Sequence, residues 1–308
     1  MRVNPILVTG SHRSGTTWVG TMLAVSPPVL YVPEIFNVDH GIWRDRGIFR
    51  YWFTYINGEN QHEFRDAIAN ILCVNYGLRH IIGLATPEGR DDIKGLLGRL
   101  KFASKLLKSL RYRRPLLKDP IALCSAEWLA REFGMDIIVL IRHPCAFVLS
   151  IQRTNWRFNF DNFLNQRRLM ENYLYPFEKQ LYQKPKDLIE EAALLWKCLH
   201  HVITIYKNKY PNWTFKRIED ISMNPVGEFY NISSRLDIPF TKTMEKKIRD
   251  YSDSSNPQEA SKGVTFSLKR DSRSTVNIWR KKLSSEQILR IRKMVEDVAC
   301  NFYSCEEW

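Results

Sequence analysis

The sequence predicts an α/β fold: a three-layer α/β/α domain around a central, mostly parallel sheet. Three observations point there. Short continuous apolar runs alternate with amphipathic helical stretches along the whole chain. Those runs lack a polar face, as strands buried on both sides do. The first of them ends on Gly10 and passes through small polar residues into a helical pattern, an order that aims backbone N–H groups at an anion.

In chain order, Pro5–Gly10, Val29–Val32, Asp136–Arg142 and Trp213–Ile218 read as strands, with the shorter run Pro115–Leu117 as a fifth. Helical patterns cover Thr16–Val25, Ile121–Phe133, Glu190–Asn208 and Ser285–Val298. Ser284 or Ser285 caps the last of these, with Glu286 and Gln287 in its first turn. Neither a repeat nor a low-complexity linker divides the chain, so residues 1–308 are expected to form one domain. Two excursions leave the sheet, 38–114 and 153–186. The first carries Trp43, Phe49, Tyr51, Trp52, Phe53 and Tyr55 and is expected to be helical and aromatic, shaping an acceptor pocket.

At 308 residues and 44% hydrophobic, the chain can build a large core, which argues against disorder. The formal net charge of +13 predicts an anionic partner. Nucleic acid is not expected, because zinc spacing, an RNP-type strand and a separate basic tail are all missing. Between Lys94 and Lys118 no acidic residue interrupts the cations. That stretch reads as a solvated cationic helix or as one that contacts a membrane surface or an acidic acceptor. The 6 cysteines are dispersed without a C-x-x-C pair, no leader pattern precedes the first strand, and no apolar run nears the ~18 residues of a membrane span. A cytoplasmic protein with reduced thiols is expected.

The loop Gly10-Ser11-His12-Arg13-Ser14-Gly15-Thr16-Thr17-Trp18 has the glycine spacing of a P-loop, yet Thr16 stands where that motif has lysine. Its one cation is Arg13. A second anion site is suggested where the run Ile137–Ile141 ends in Arg142-His143-Pro144. Pro144 can begin a helix that brings Ser150 round two turns later.

Together these elements resemble the sulfotransferase family, over most of the chain. Arg13-Ser14-Gly15-Thr16-Thr17-Trp18 matches that family's loop for the 5′-phosphosulfate of 3′-phosphoadenosine 5′-phosphosulfate (PAPS). Arg142, Pro144 and Ser150 match its element for the 3′-phosphate. Lys216-Arg217-Ile218-Glu219-Asp220 is similar to a family strand end, and Ser272–Arg280 looks like a degenerate cofactor loop without its glycines. By this resemblance Arg13, Ser14, Gly15, Thr16, Thr17, Trp18, Arg142, Ser150, Arg217 and Arg273 would contact the nucleotide, with PAP as product and without a metal. The pattern is closer to glycan, tyrosyl-protein and bacterial members than to hormone-type soluble ones, which carry a histidine base where this chain has Leu117-Lys118-Asp119-Pro120.

The resemblance implies transfer of a sulfuryl group to a hydroxyl or amine of a glycan, lipid or other small molecule. Glu34, just past the second strand, takes the place of the glutamate base, with Arg13 and Lys118 balancing developing negative charge. Asp119 is the rival base; it could equally orient Lys118 or cap the helix starting at Pro120. His12 and His143 flank the two anion sites and are either active or structural. Trp18 packs on adenine or in the helix core. A P-loop kinase or nucleotide hydrolase, and an inactive anion-binding scaffold, are the alternatives.

Overall fold

The computed structural model describes residues 4–39, 48–72, 114–183, 185–258 and 268–308. Most of the cationic stretch from Lys94, and Cys73, fall outside the described residues.

A five-stranded parallel sheet, ordered β2-β3-β1-β4-β5, forms the centre. Its strands are β1 (Ile6–Gly10), β2 (Val29–Val32), β3 (Arg114–Lys118), β4 (Asp136–Ile141) and β5 (Thr214–Arg217). Successive side chains point to opposite faces, and the core divides accordingly. Leu7, Leu117, Ile137 and Val139 join one apolar cluster. Ile6, Val8, Leu116, Ile138 and Leu140 join the other. Helix α1 (Thr16–Leu23) brings Val19, Met22 and Leu23 to the second cluster, together with Phe229 and Ile232 of the helix Pro225–Arg235. The first cluster is covered by α2 (Arg65–Leu72), α3 (Ala126–Phe133), α4 (Pro144–Thr154), α5 (Leu188–Lys209) and α6 (Ser285–Ala299). Three layers result.

The strand order carries a functional consequence. From β1 the chain moves through α1 to one side of the sheet, and from β3 it crosses through α3 to the other. Right-handed crossovers in opposite directions must lie on opposite faces, as α1 and α3 do. The crevice between them opens beyond the carboxyl end of β1, the place where ligands bind in open α/β sheets.

Two local readings are refined. The run at Pro115–Leu117 is a complete internal strand from Arg114 to Lys118, buried at all five positions and paired to both β1 and β2. Its charged ends hide it from an apolar-run reading. Arg114 tolerates burial because its guanidinium donates to the Asp136 carboxylate and to the Leu236 and Asn4 carbonyls. The helical pattern at Ile121–Phe133 divides into a 3-10 segment, Pro120–Ser125, and α3. Asp119 caps the first piece by accepting from Ile121 N at 3.0 Å.

Candidate active site

Two glycines shape the loop after β1. Gly10 has φ 139°, and a side chain there would strike the Leu140 carbonyl of β4. Gly15, at φ 84°, leaves room for Ile218, whose Cδ1 would lie 2.5 Å from an added Cβ. Between them, Ser14 N donates to Ser11 O at 3.2 Å and closes the turn. That N–H is therefore engaged within the loop. Gly15 is the N-cap of α1, without a side-chain cap and without an acid in the first turn. The N–H groups that open a helix have no intrahelical acceptor, so the start of α1 presents donors and a positive dipole end to an anion. Thr16 is buried there, with Thr17 and Trp18 half-buried beside it. The Trp18 ring packs edge-on against Phe229 at 5.4 Å and is only half-buried.

The two anion loops touch. Arg13 Nε donates to Ser150 Oγ of α4 at 2.9 Å, and Arg142 donates to the Arg13 carbonyl. Burial lowers the Arg13 pKa, and the neighbouring charges of Arg270 and Arg153 lower it further. Arg142 falls to about 10, chiefly by burial and against the support of Glu219, with Arg13 and Arg270 repelling it. Guanidinium groups gathered this closely repel one another less once a polyanion sits among them. Together with the open helix start, that fits a doubly phosphorylated nucleotide.

Arg270 was not legible in the sequence. It lies three residues before Arg273, in a segment stripped of its marker glycines. Arg273 itself is exposed and donates to the Met223 carbonyl at 3.2 Å. Arg217 sits in register with Ile141, beside the second loop, where its charge acts on His143; Asp220 and Glu307 pair with it at 2.7 Å, and it lies over the Tyr303 ring. Both arginines are expected at the nucleotide; in the structure Arg217 is held by two carboxylates and Arg273 by a backbone carbonyl.

The third cluster lies past β2 and β3. Lys118 Nζ meets Glu34 Oε1 at 2.5 Å, and Asn37 Nδ2 donates to Glu34 Oε2 at 2.9 Å. Lys118 is nearly buried while the Glu34 side chain stays one-quarter exposed. Asp119 is fully buried. One of its oxygens accepts from Ile35 N at 2.7 Å and Phe36 N at 2.8 Å, and the other from Ile121 N. Burial and the Glu34 charge push Asp119 up to about 7, opposed by those backbone donors. Engaged on both oxygens, Asp119 anchors the turn that presents Glu34, and its cap reading is the one observed. Asn37 was missed because nothing in sequence marks an amide three residues past a carboxylate as its partner.

Both flanking histidines are neutral and walled in. His12 packs among Phe53, Phe147 and Trp156, and burial followed by the Arg13 charge lowers it to about 3. His143 stacks on Trp279 at 4.5 Å and accepts from Cys145 N; burial lowers it likewise to about 3. Among the described residues no group of acids, histidines or cysteines could hold a metal ion, and no helix is long and apolar enough to cross a membrane.

A family model described as "Sulfotransferase family" matches residues 5–242. No curated protein matches the chain in sequence. Among solved structures, mouse sulfotransferase SULT7A1 complexed with PAP is 13% identical, with 98% of this chain and 86% of that one covered at a TM-score of 0.45. Sulfotransferase STF9 from Mycobacterium avium is 14% identical, with 98% and 78% covered and a TM-score of 0.45. A retinol dehydratase in complex with androsterone and PAP is 16% identical, with 97% and 81% covered and a TM-score of 0.37. These likenesses are too remote to carry weight; the family model does, because its match runs from β1 through β5 and takes in the anion loops and the Glu34–Lys118 pair. On that match the chain belongs to the sulfotransferase family, as an enzyme that moves a sulfuryl group from PAPS to an acceptor.

Proposed function

We propose that Glu34 is the general base of this transfer and that Lys118 and Arg13 stabilise the charge it creates. The observation that carries the reading is the Glu34–Lys118 contact at the carboxyl ends of neighbouring strands. It places an acceptor of protons and a cation together beside the loop that follows β1. When bound, PAPS supplies an activated sulfuryl group. The chain's own part is positioning and electrostatics. The N–H groups of Gly15, Thr16 and Thr17 with Arg13 hold one phosphorylated end. Arg142, Ser150 and Arg270 hold the other. Glu34 accepts the proton of the acceptor hydroxyl, and Lys118, already against its carboxylate, is placed to balance negative charge on the leaving side.

Asn37 and the Asp119-anchored turn restrict the orientation of the Glu34 carboxylate.

Glu34→Gln is the test. Turnover with radiolabelled-sulfate PAPS should fall by about 10²–10⁴-fold, the usual worth of a positioned base. Calorimetry should show PAP affinity unchanged. Full activity in that variant would return the base to another residue.

A further inference from the structure

A continuous wall joins the Glu34 cluster to the loop after β1. Asn37 Oδ1 accepts from Asp39 N at 3.0 Å, and Asp39 Oδ2 accepts the Trp52 indole N–H at 3.1 Å. The Trp52 ring lies 5.4 Å from that of Trp156, which in turn lies 4.5 Å from His12, next to Arg13. Glu34 and Arg13 thus stand at the two ends of one line of contacts whose middle is a pair of half-buried indoles and an exposed carboxylate.

The backbone holding these rings is strained where they are. Among the described residues, the non-glycine positions of positive φ are Arg13 at 66°, Phe53 at 58°, Asn155 at 46° and Asp237 at 54°. The first three each adjoin one of the wall's rings: His12, Trp52 and Trp156. For a residue as bulky as Phe53 this conformation is costly, and such strain persists only where surrounding contacts impose it. Here they do. Trp52 N donates to Asn162 Oδ1 at 2.9 Å, Gln166 Nε2 donates to Phe53 O at 3.3 Å, and the Phe53 ring is buried against Phe158 and Phe163.

We propose that the Trp52–Trp156 pair with Asp39 is the acceptor subsite, and that it takes a neutral, saturated, polyhydroxylated ring: a glycan. This rests on the assignment of Glu34 as base. The indole faces offer apolar area to the C–H face of such a ring. Glu34 takes the reacting hydroxyl, and Asp39 accepts a second one from the same or the adjoining sugar. A simple phenol or sterol has one hydroxyl to give. Seated on the indoles, it would strip water from Asp39 without replacing the hydrogen bond, an unfavourable exchange. An anionic ring would set its charge against the Asp39 carboxylate, whose donor in the wall is the neutral Trp52 indole.

The test uses the full-length protein with radiolabelled-sulfate PAPS and two acceptor pools, one of neutral oligosaccharides and one of phenols and sterols. Label should enter the glycan pool at a rate at least about tenfold above the other. With the best labelled oligosaccharide, Trp52→Ala and Asp39→Asn should each lower kcat/KM about tenfold, the worth of one ring contact or hydrogen bond. Trp52→Phe, which keeps a ring and guards against misfolding, should retain most of it. PAP affinity by calorimetry should be the same in all variants. Label entering phenols or sterols as fast, no label in any glycan, or wild-type kcat/KM in Trp52→Ala would overturn the subsite. Loss of PAP binding by the wild-type protein, or full activity in Glu34→Gln, would instead overturn the underlying assignment.

Discussion

His200 offers a sharp test of the packing behind the site. Its ring is fully buried, stacked on Trp196 at 3.8 Å, with Nδ1 2.9 Å from the Trp196 carbonyl. Burial lowers its pKa from 6.5 to about 3. A depressed folded value makes the folded state prefer the neutral ring. The associated stability is fully present above 6.5 and is lost as pH falls toward about 3. At pH 5 an unfolded imidazole is already protonated and the folded one is not. That gap of about 1.5 pH units, at ~1.4 kcal/mol each, removes about 2 kcal/mol of stability relative to neutral pH. Asp119 works in the opposite sense. Raised to about 7, its contribution is complete below 3.8 and disappears as pH rises through 7. A single-site comparison separates the two. His200→Phe keeps an aromatic ring, and any packing or hydrogen-bond cost of the substitution is the same at both pH values. Urea unfolding at pH 7 and pH 5 should show the wild type losing about 2 kcal/mol more than the variant between them. Equal losses would mean that His200 is protonated in the folded protein, and the burial argument would fail.

The cation assignments can be checked together. Arg142→Ala and Arg270→Ala should each weaken PAP binding about tenfold or more, as loss of a charge-assisted contact does, whereas Arg217→Ala and Arg273→Ala should change it less than about twofold. Calorimetry at fixed salt decides between them. Asp119→Asn keeps the side chain's shape but swaps one of the accepting oxygens for a donor facing a backbone N–H. Chemical unfolding should show a loss of about 1–3 kcal/mol. Turnover should drop with PAP affinity intact, since the turn carrying Glu34 loosens.

The strand–loop–helix at Ile6–Leu23 was legible because its causes are local: an apolar run, glycines where φ must be positive, and hydroxyls at a helix start. The same holds for Arg142 and Pro144 at the end of β4, and for Ser284 with its capping box to Gln287. Family resemblance then located Glu34, Lys118 and Asp119, but their division of labour depended on contacts across 84 residues of chain. Sequence left Asp119 as base, orienter or cap. Three backbone donors on a fully buried carboxylate show the cap and the anchoring of the turn before it. Arg270 and Arg273 are indistinguishable cations on paper. Only the packing of the helix Ser272–Val276 against Ile218–Met223 sends one outward, while the other comes close enough to repel Arg13 and Arg142. Local conformational preference writes strands, turns and caps into short stretches of sequence. Which charges meet is settled by long-range closure of the chain, and no short window contains both partners.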